Sequence, residues 1–161
     1  MREPKEGLPV KTTVNNVASV AIIYPSDDPR KVFLCEYDQG YPSAVFRGMY
    51  NPPGGNWIGP LAASDSGPRD TIERELKEEL VLLGRIRSYI QRALRPWGSY
   101  YHLVPKAVFD SADPQNKRGD TSTFVCCWIA PLGTKVWFHL GRLQAKYGNL
   151  TNEGYTRITS F

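Results

Sequence analysis

Residues 70–83 read DTIERELKEELVLL, and the period of their apolar side chains predicts an amphipathic helix. At ~100° per residue, one sector of this helix holds the large apolar residues Ile72, Leu76, Leu80 and Leu83. We expect this stripe to pack on the core. Glu73 and Lys77 point away from it as a solvated pair. Pro68 suits the first turn, because its missing N–H would be unpaired there, and Gly84 is placed to end the helix.

Three glutamates crowd a neighbouring sector of the predicted helix. Glu75, Glu78 and Glu79 follow the spacing i, i+3, i+4, which puts their repelling charges on one turn. Arg74 can reach Glu78, but one guanidinium cannot neutralise three acids. A divalent cation supplies the missing charge most simply, and carboxylate oxygens suit Mg²⁺ or Mn²⁺. The alternative is an acidic helix face that is simply solvated.

The residues before the helix add a second motif. Residues 51–57 read NPPGGNW, a Pro-Gly-Gly turn that is followed by a loop and then by the helix. Turn and helix together resemble the Nudix box, a loop–helix–loop written G-x5-E-x7-R-E-U-x-E-E-x-G-U, with U a bulky aliphatic residue. Residues 74–79, RELKEE, match the R-E-U-x-E-E core without a mismatch. Leu82 fits the final aliphatic position, and residues 53–55 match the turn that usually opens the box.

The chain departs from this pattern at three places. Val81 stands where the family has its late glycine, and Ser66 falls where the loop glutamate should be. About five extra residues lie within the loop at residues 56–67. These departures concern the substrate and the number of metal ions more than the family. A loop of this length is often a functional lid, so we expect it to shape substrate entry.

The resemblance implies an α/β/α sandwich with a mixed β-sheet and a metal-dependent pyrophosphohydrolase activity. It assigns catalytic roles to Arg74, Glu75 and Glu79. Its expected metal ligands are the carboxylates of Glu75, Glu78 and Glu79 and the carbonyl of Gly54. Glu75 would be a ligand or the general base, and Arg74 would hold the glutamates in place, although an ordinary ion pair within a helix would look the same. A further ligand would be Glu153, for which a solvated loop glutamate is the alternative.

Substrate choice in this family normally comes from residues outside the box. Exposed aromatic side chains stack on bases, and Trp57, Trp97 and Tyr101 lie in or near predicted loops. With Gly55 they are the expected substrate-binding residues, and core packing is the alternative for each aromatic. The expected substrate is a nucleoside diphosphate derivative or another anionic diphosphate. A catalytically weak Nudix-like module that binds nucleotide or RNA is the other hypothesis, and either form could be a homodimer.

Length and composition bound these expectations. The chain has 161 residues, 41% of them hydrophobic, and a net charge of +4. We expect a flexible arm at residues 1–15 and one domain at 16–161. No apolar run has the length of a membrane span, and the N-terminus lacks the layout of a secretion signal. The cysteines are odd in number, Cys35, Cys126 and Cys127, and are typical of core residues in a reducing compartment. We therefore expect a cytoplasmic protein without membrane contact. The small positive charge favours an anionic partner, and a basic protein whose charge has no such meaning is the alternative.

The rest of the chain reads mainly as strands. Apolar runs predict strands at residues 17–24, 31–37, 44–50 and 121–130. Residues 85–94 have a β-like core, residues 95–98 break it, and residues 100–109 resume as a strand. A polar loop is predicted at 110–120, a helix at 134–147, and a loop entering a last strand at 151–161.

Overall fold

The computed structural model describes residues 16–41, 44–58, 65–104, 121–148, 150 and 154–160. The predicted arm at residues 1–15, the predicted loop at 110–120 and Glu153 lie outside these residues. The strands are β1 (Asn16–Pro25), β2 (Lys31–Tyr37), β3 (Tyr50–Asn51), β4 (Gly54–Asn56), β5 (Arg95–Val104), β6 (Thr121–Leu132) and β7 (Gly154–Ser160). The helices are α1 (Pro68–Glu79), α2 (Arg85–Ala93) and α3 (Thr134–Tyr147). None of these helices has the length and apolar run that a membrane span needs.

The strands form one mixed sheet with the main order β3-β2-β1-β6-β5. β1 runs parallel to β6 along its whole length, while β5 pairs with β6 in the antiparallel sense. β2 pairs antiparallel with β1 and with β7. The α/β class with a mixed sheet that the sequence predicts is therefore confirmed.

A fork between β1 and β2 positions the Pro-Gly-Gly turn. The two strands pair opposite Ile23 and Phe33. Away from this pair the two strands separate, and β4 pairs with β1 while β3 pairs with β2. The turn between β3 and β4 crosses the fork, and the carbonyl of Pro53 accepts a 2.8 Å hydrogen bond from the N–H of Ala21. The turn is thus fixed to the centre of the sheet by backbone hydrogen bonds.

The helices share one apolar core with one face of the sheet. The predicted stripe is confirmed, because Ile72, Leu76, Leu80 and Leu83 are all buried. They join Ile86 and Ile90 of α2, Leu140 of α3 and sheet residues such as Ile23 and Ala130. A smaller cluster on the opposite face contains Ala18, Val125 and Cys127, with Val20 packed against it. Burial of these side chains, at about 25 cal/mol per Å² of apolar surface, holds α1 to the sheet.

The strand predicted at residues 85–94 is wrong, because these residues form α2. Ile86 and Ile90, four residues apart, are both buried, whereas Tyr89 between them is exposed, which is a helical period. Gly84 has a φ of +46° and precedes the first helical residue. The isoleucines and the tyrosine favour a strand by propensity alone, and packing on α1 and β6 overrides that preference.

Three boundaries also differ from the prediction. Residues 95–98 do not interrupt a strand but begin β5. The strand accommodates Pro96 by a register shift between Pro96 and Gly98. Residues 44–49 are not a strand: a 3₁₀ turn at Ala44–Phe46 and Gly48, with a φ of +74°, precede the short β3, which begins at Tyr50. α1 ends at Glu79 and a 3₁₀ turn at Val81–Leu83 follows, because the backbone of Leu80 leaves the helical region.

The fork makes a prediction about Gly54, whose φ is +148°. A Cβ added there would lie 2.1 Å from the carbonyl oxygen of Ser19, a collision between two backbones that no rotamer relieves. We expect Gly54→Ala to lower the free energy of unfolding by about 3 kcal/mol in urea denaturation, from overpacking plus a backbone conformation that side chains disfavour.

The matched control is Gly133→Ala, where an added Cβ meets nothing within 4 Å. It should cost about 1 kcal/mol or less. Equal losses at the two glycines would contradict a specific requirement for Gly54 in the fork.

Candidate active site

The start of α1 is fixed against β1 and a preceding turn. α1 begins at Pro68, which confirms proline in the first turn. The hydroxyl of Ser19 donates a 2.8 Å hydrogen bond to the carbonyl of Pro68. The N–H of Ser66 donates to the carboxylate of Asp70 at 3.1 Å, and its hydroxyl donates to the same oxygen. These bonds fix the rotation of α1, so its glutamates face the turn at β4.

The predicted pair of Glu73 and Lys77 is not the pair that forms. Glu73 instead contacts the guanidinium of Arg69. Arg69 also donates hydrogen bonds to the carbonyls of Gln91 and Leu94 at the end of α2. Because these bonds hold the guanidinium beside Glu73, the glutamate binds Arg69 rather than an exposed lysine.

Arg74 is the centre of the site. Its Nη1 lies 2.9 Å from Oε1 of Glu75 and 3.0 Å from Oε2 of Glu78. Its Nη2 donates a 2.8 Å hydrogen bond to the carbonyl of Asn56 at the end of β4. The predicted reach of Arg74 to Glu78 is thus confirmed, and the guanidinium links the glutamate helix to the strand that carries the Pro-Gly-Gly turn.

Asp65 is the site residue that the sequence did not reveal. Its carboxylate is 6% exposed and binds Arg74 through two bonds of 3.0 Å, from Nε to Oδ1 and from Nη2 to Oδ2. The motif placed the loop acid one position later, at Ser66, so Asp65 looked like an ordinary loop residue. Only its position next to Arg74 in space distinguishes it from the other aspartates.

Asp65 also holds the two ends of the inserted loop together. Its carbonyl accepts a 2.9 Å hydrogen bond from the indole N–H of Trp57, and its carboxylate accepts one from the N–H of Ile58. The lid prediction applies to residues 56–67, of which residues 59–64 lie outside the described residues. The lid remains a prediction, with both of its ends fixed beside the carboxylates.

The two glycines of the turn are in direct contact with the glutamates. The N–H of Gly54 donates a 3.0 Å hydrogen bond to Oε2 of Glu79, whose side chain is buried. The carboxylate of Glu75 lies so close to Gly55 that an added Cβ would be 2.5 Å from it. The structure therefore brings together five predicted site residues, which are Gly54, Gly55, Arg74, Glu75 and Glu79, and Glu78 joins them through Arg74.

The ion pairs of Arg74 shift the pKa of Asp65 and of Arg74 itself. Hydrogen bonds from its guanidinium hold the pKa of the Asp65 carboxyl below its ordinary value, against the opposing effect of burial. The bond to Asp65, together with Glu75, raises the pKa of Arg74. Asp65 is therefore ionised at neutral pH, and the three carboxylates of Asp65, Glu75 and Glu78 share the guanidinium of Arg74.

This donor set suits a divalent cation in its chemistry and in its charge. Mg²⁺ and Mn²⁺ prefer carboxylate and carbonyl oxygens, which are the groups present here. Yet among the residues that the structure describes, no three acidic, histidine or cysteine side chains are already gathered around one point as metal ligands. Instead, Nη1 of Arg74 lies between Glu75 and Glu78 and supplies part of the positive charge.

Two of the three expected aromatic residues share one row of the sheet. Trp57 donates its backbone N–H to the carbonyl of Val17. Val17 lies opposite Phe124, and Phe124 lies opposite Tyr101, with 5.2 Å between the two ring centroids. Side chains opposite one another on adjacent strands point to the same face. Trp57, Phe124 and Tyr101 therefore line one face, while Trp97 lies at the irregularity of β5, 66% exposed.

No protein-family model matches the chain, and no curated protein matches it. Its structure is similar to that of NrtR from Shewanella oneidensis, with a TM-score of 0.51 and 16% identity. That match covers 91% of this chain and 52% of NrtR, so the chain spans about half the length of that protein. The NUDIX domain of the same NrtR, crystallised with ADP ribose, matches with a TM-score of 0.50 and 14% identity over 96% of this chain and 79% of that domain. The chain has the Nudix fold.

The pair of Asp65 and Arg74 predicts a dependence of stability on pH. Asp65→Asn leaves a partly buried guanidinium without its main partner, so we expect a loss of about 2 kcal/mol at pH 7. Because the folded-state pKa of Asp65 is lowered, this contribution is complete above the ordinary value of 3.8 and is lost as the pH falls through the folded-state pKa. Urea unfolding of wild type and variant between pH 7 and pH 3 measures the difference.

Asp28→Asn is the control for this experiment. Asp28 also has a pKa lowered to about 2, by a hydrogen bond from Arg30, but that arginine is exposed to solvent. Exposed pairs contribute little, so this variant should unfold almost like wild type at pH 7. If Asp65→Asn did the same, Asp65 would not be a structural support of the site.

Proposed function

We propose that this protein is a metal-dependent pyrophosphohydrolase that cleaves the diphosphate of a nucleoside diphosphate linked to another moiety. One observation carries the proposal. Three carboxylates, from Asp65, Glu75 and Glu78, contact the guanidinium of Arg74, and a fourth, from Glu79, binds the N–H of Gly54 in the adjacent glycine turn. A merely structural helix gains nothing from such an excess of negative charge, whereas diphosphate hydrolysis requires a bound cation at this kind of cluster.

Glu75, Glu78 and Glu79 would hold Mg²⁺ or Mn²⁺, with the carbonyl of Gly54 as a further ligand. When bound, the ion neutralises phosphate oxygens and lowers the pKa of a bound water. Glu153 would add a fourth acid. The metal and these ligand roles are the finer part of the proposal, and the donor chemistry of the cluster supports them.

The chain's own residues prepare the reaction in three ways. Arg74 positions Glu75 and Glu78 while Asp65 holds the guanidinium from the opposite side. The N–H of Gly54 fixes the orientation of the Glu79 carboxylate. Glu75, which lies against Gly55, is the candidate general base. It would accept a proton from the attacking water as the water oxygen bonds to one phosphorus and the bridging P–O bond breaks.

The aromatic row supports a substrate that carries a base. Trp57 and Tyr101 are 41% and 61% exposed, so their rings are available for stacking. Trp57 is also only two residues from Gly55 in the sequence. The NUDIX domain of NrtR, which shares the fold, was crystallised with ADP ribose. A nucleoside diphosphate derivative is therefore the substrate class that we propose.

A second function is favoured by one observation. Arg74 already occupies the position between Glu75 and Glu78, and no three ligands are gathered for a metal among the described residues. A Nudix-fold module that binds nucleotide or RNA with little turnover would not need Arg74 or the glutamates to move to form a metal site. Assays of metal binding and of turnover separate the two functions.

The enzyme hypothesis predicts that divalent metal stabilises the protein and supports turnover. Adding Mg²⁺ or Mn²⁺ should raise the melting temperature, because the ion binds the folded state and relieves repulsion among the glutamates. A panel of ADP-ribose, NADH, dinucleoside polyphosphates, nucleoside triphosphates and capped RNA should contain a substrate. Glu75→Gln and Glu79→Gln should lower kcat by orders of magnitude without unfolding the protein.

Glu73→Gln is the matched control, since Glu73 lies on the same helix but binds Arg69 outside the cluster. It should retain the thermal shift, which the double variant Glu78→Gln/Glu79→Gln should lose. On the substrate that the panel identifies, Trp57→Ala and Tyr101→Ala should raise KM, whereas Phe138→Ala on α3 should not. A wild type inert on the whole panel with either metal would favour the binding module.

A further inference from the structure

A hollow of about 470 Å³ lies between α2 and α3, with the turn Val81–Leu83 along one side. Volumes in this range accommodate small ligands. None of the four carboxylates that contact Arg74 or Gly54 lines it. The hollow is therefore a separate feature from the candidate active site.

The inner surface of the hollow is apolar. Leu83 and Ile86 are buried at its base, and Val136 and Leu143 are partly buried. Leu82 also lines the hollow, although 57% of it is exposed to solvent. Leaving such a side chain in water forgoes the free energy of burial, so an apolar ligand in the hollow would be stabilised by covering it.

The rim of the hollow is basic. Arg85, Lys135 and His139 line it together with Tyr89, and no acid is among its lining residues. The sequence of the two surrounding segments has the same bias. Residues 81–94 and 134–147 carry six lysines and arginines and none of the 16 acids of the chain. The remainder holds more acids than basic residues, so the net positive charge of the protein comes from the two segments that form this hollow.

The position of the two basic residues is unfavourable for the helices themselves. Arg85 is the first residue of α2 and Lys135 is the second residue of α3. A positive side chain at this end of a helix is repelled by the helix dipole, and neither helix has an acid in its first turn. Stability of the helices therefore does not explain why these residues are basic, whereas binding an anion in the adjacent hollow does.

We propose that this hollow binds a small amphipathic anion, meaning an aromatic or acyl body that carries a carboxylate, sulfonate or phosphate. The apolar body covers Leu82, Ile86 and Val136. The anionic group lies at the rim, where Arg85 and Lys135 supply charge and His139 supplies a ring nitrogen. The ligand is a free small molecule, because the hollow is closed on two sides by helices and is of small-molecule size.

A fluorescence titration of the full chain with 1-anilinonaphthalene-8-sulfonate tests the proposal. This probe is an aromatic anion, and we expect it to saturate one site per chain. Octanoate should displace it, whereas octylamine, with the same tail and the opposite charge, should not. The double variant Arg85→Glu/Lys135→Glu should raise the Kd of the probe by about tenfold or more, since two attractive charges become repulsive.

The variants are chosen so that loss of fold does not confuse the result. Glutamate is favourable in the first turn of a helix, so the double variant should keep or raise its melting temperature. Arg87→Glu reverses one charge on α2 outside the hollow and should leave Kd unchanged. Glu79→Gln should also bind the probe like wild type, which separates this site from the proposed hydrolase function.

Three results would overturn the proposal. The first is probe binding to Arg85→Glu/Lys135→Glu at wild-type affinity, and the second is displacement by octylamine as effective as that by octanoate. The third is a pair of observations made together. Octanoate fails to displace the probe, and the protein sediments with phosphatidylglycerol vesicles only when Arg85 and Lys135 are intact. That last result would assign the basic surface to a lipid bilayer instead.

Discussion

The candidate site depends on the guanidinium of Arg74. It binds Asp65 in the loop, Glu75 and Glu78 on α1, and the carbonyl of Asn56 at the end of β4. Like charges at this spacing would otherwise repel each other, so the arginine is what allows the carboxylates to stay together. Because the guanidinium is planar and carries five donors, it can hold these partners in fixed directions. The same contacts join the end of β4, the loop before α1 and α1 itself.

The backbone of the fork imposes the second constraint. Between β1 and β2 there is room for the Pro-Gly-Gly turn only if residue 54 lacks a side chain, since Gly54 meets the backbone of Ser19. A side chain at residue 55 would displace the carboxylate of Glu75. The glycines thus bring a strand and a glutamate helix into contact. Close approach of a backbone to a polar cluster is what a phosphate-binding site requires, and here it follows from the packing of the sheet.

Much of this could be predicted from sequence, because the decisive residues are close together along the chain. The stripe of α1 and the glutamate spacing follow from the helical period alone. Other features depend on tertiary contacts. Residues 85–94 form a helix because Ile86 and Ile90 pack on neighbouring elements, although their propensity favours a strand. Asp65 could not be recognised, since it lies in the loop before α1, and no local pattern specifies the folded path that brings it to Arg74.

The central claim is that the carboxylates around Arg74 form a centre for a divalent cation. The most direct test is an anomalous difference map from crystals grown with MnCl₂. The account predicts a manganese peak at about 2.2 Å from oxygens of Glu75, Glu78 and Glu79, with Arg74 still bound to Asp65. A map at saturating manganese with no peak among these glutamates, or with its strongest peak elsewhere, would contradict the claim.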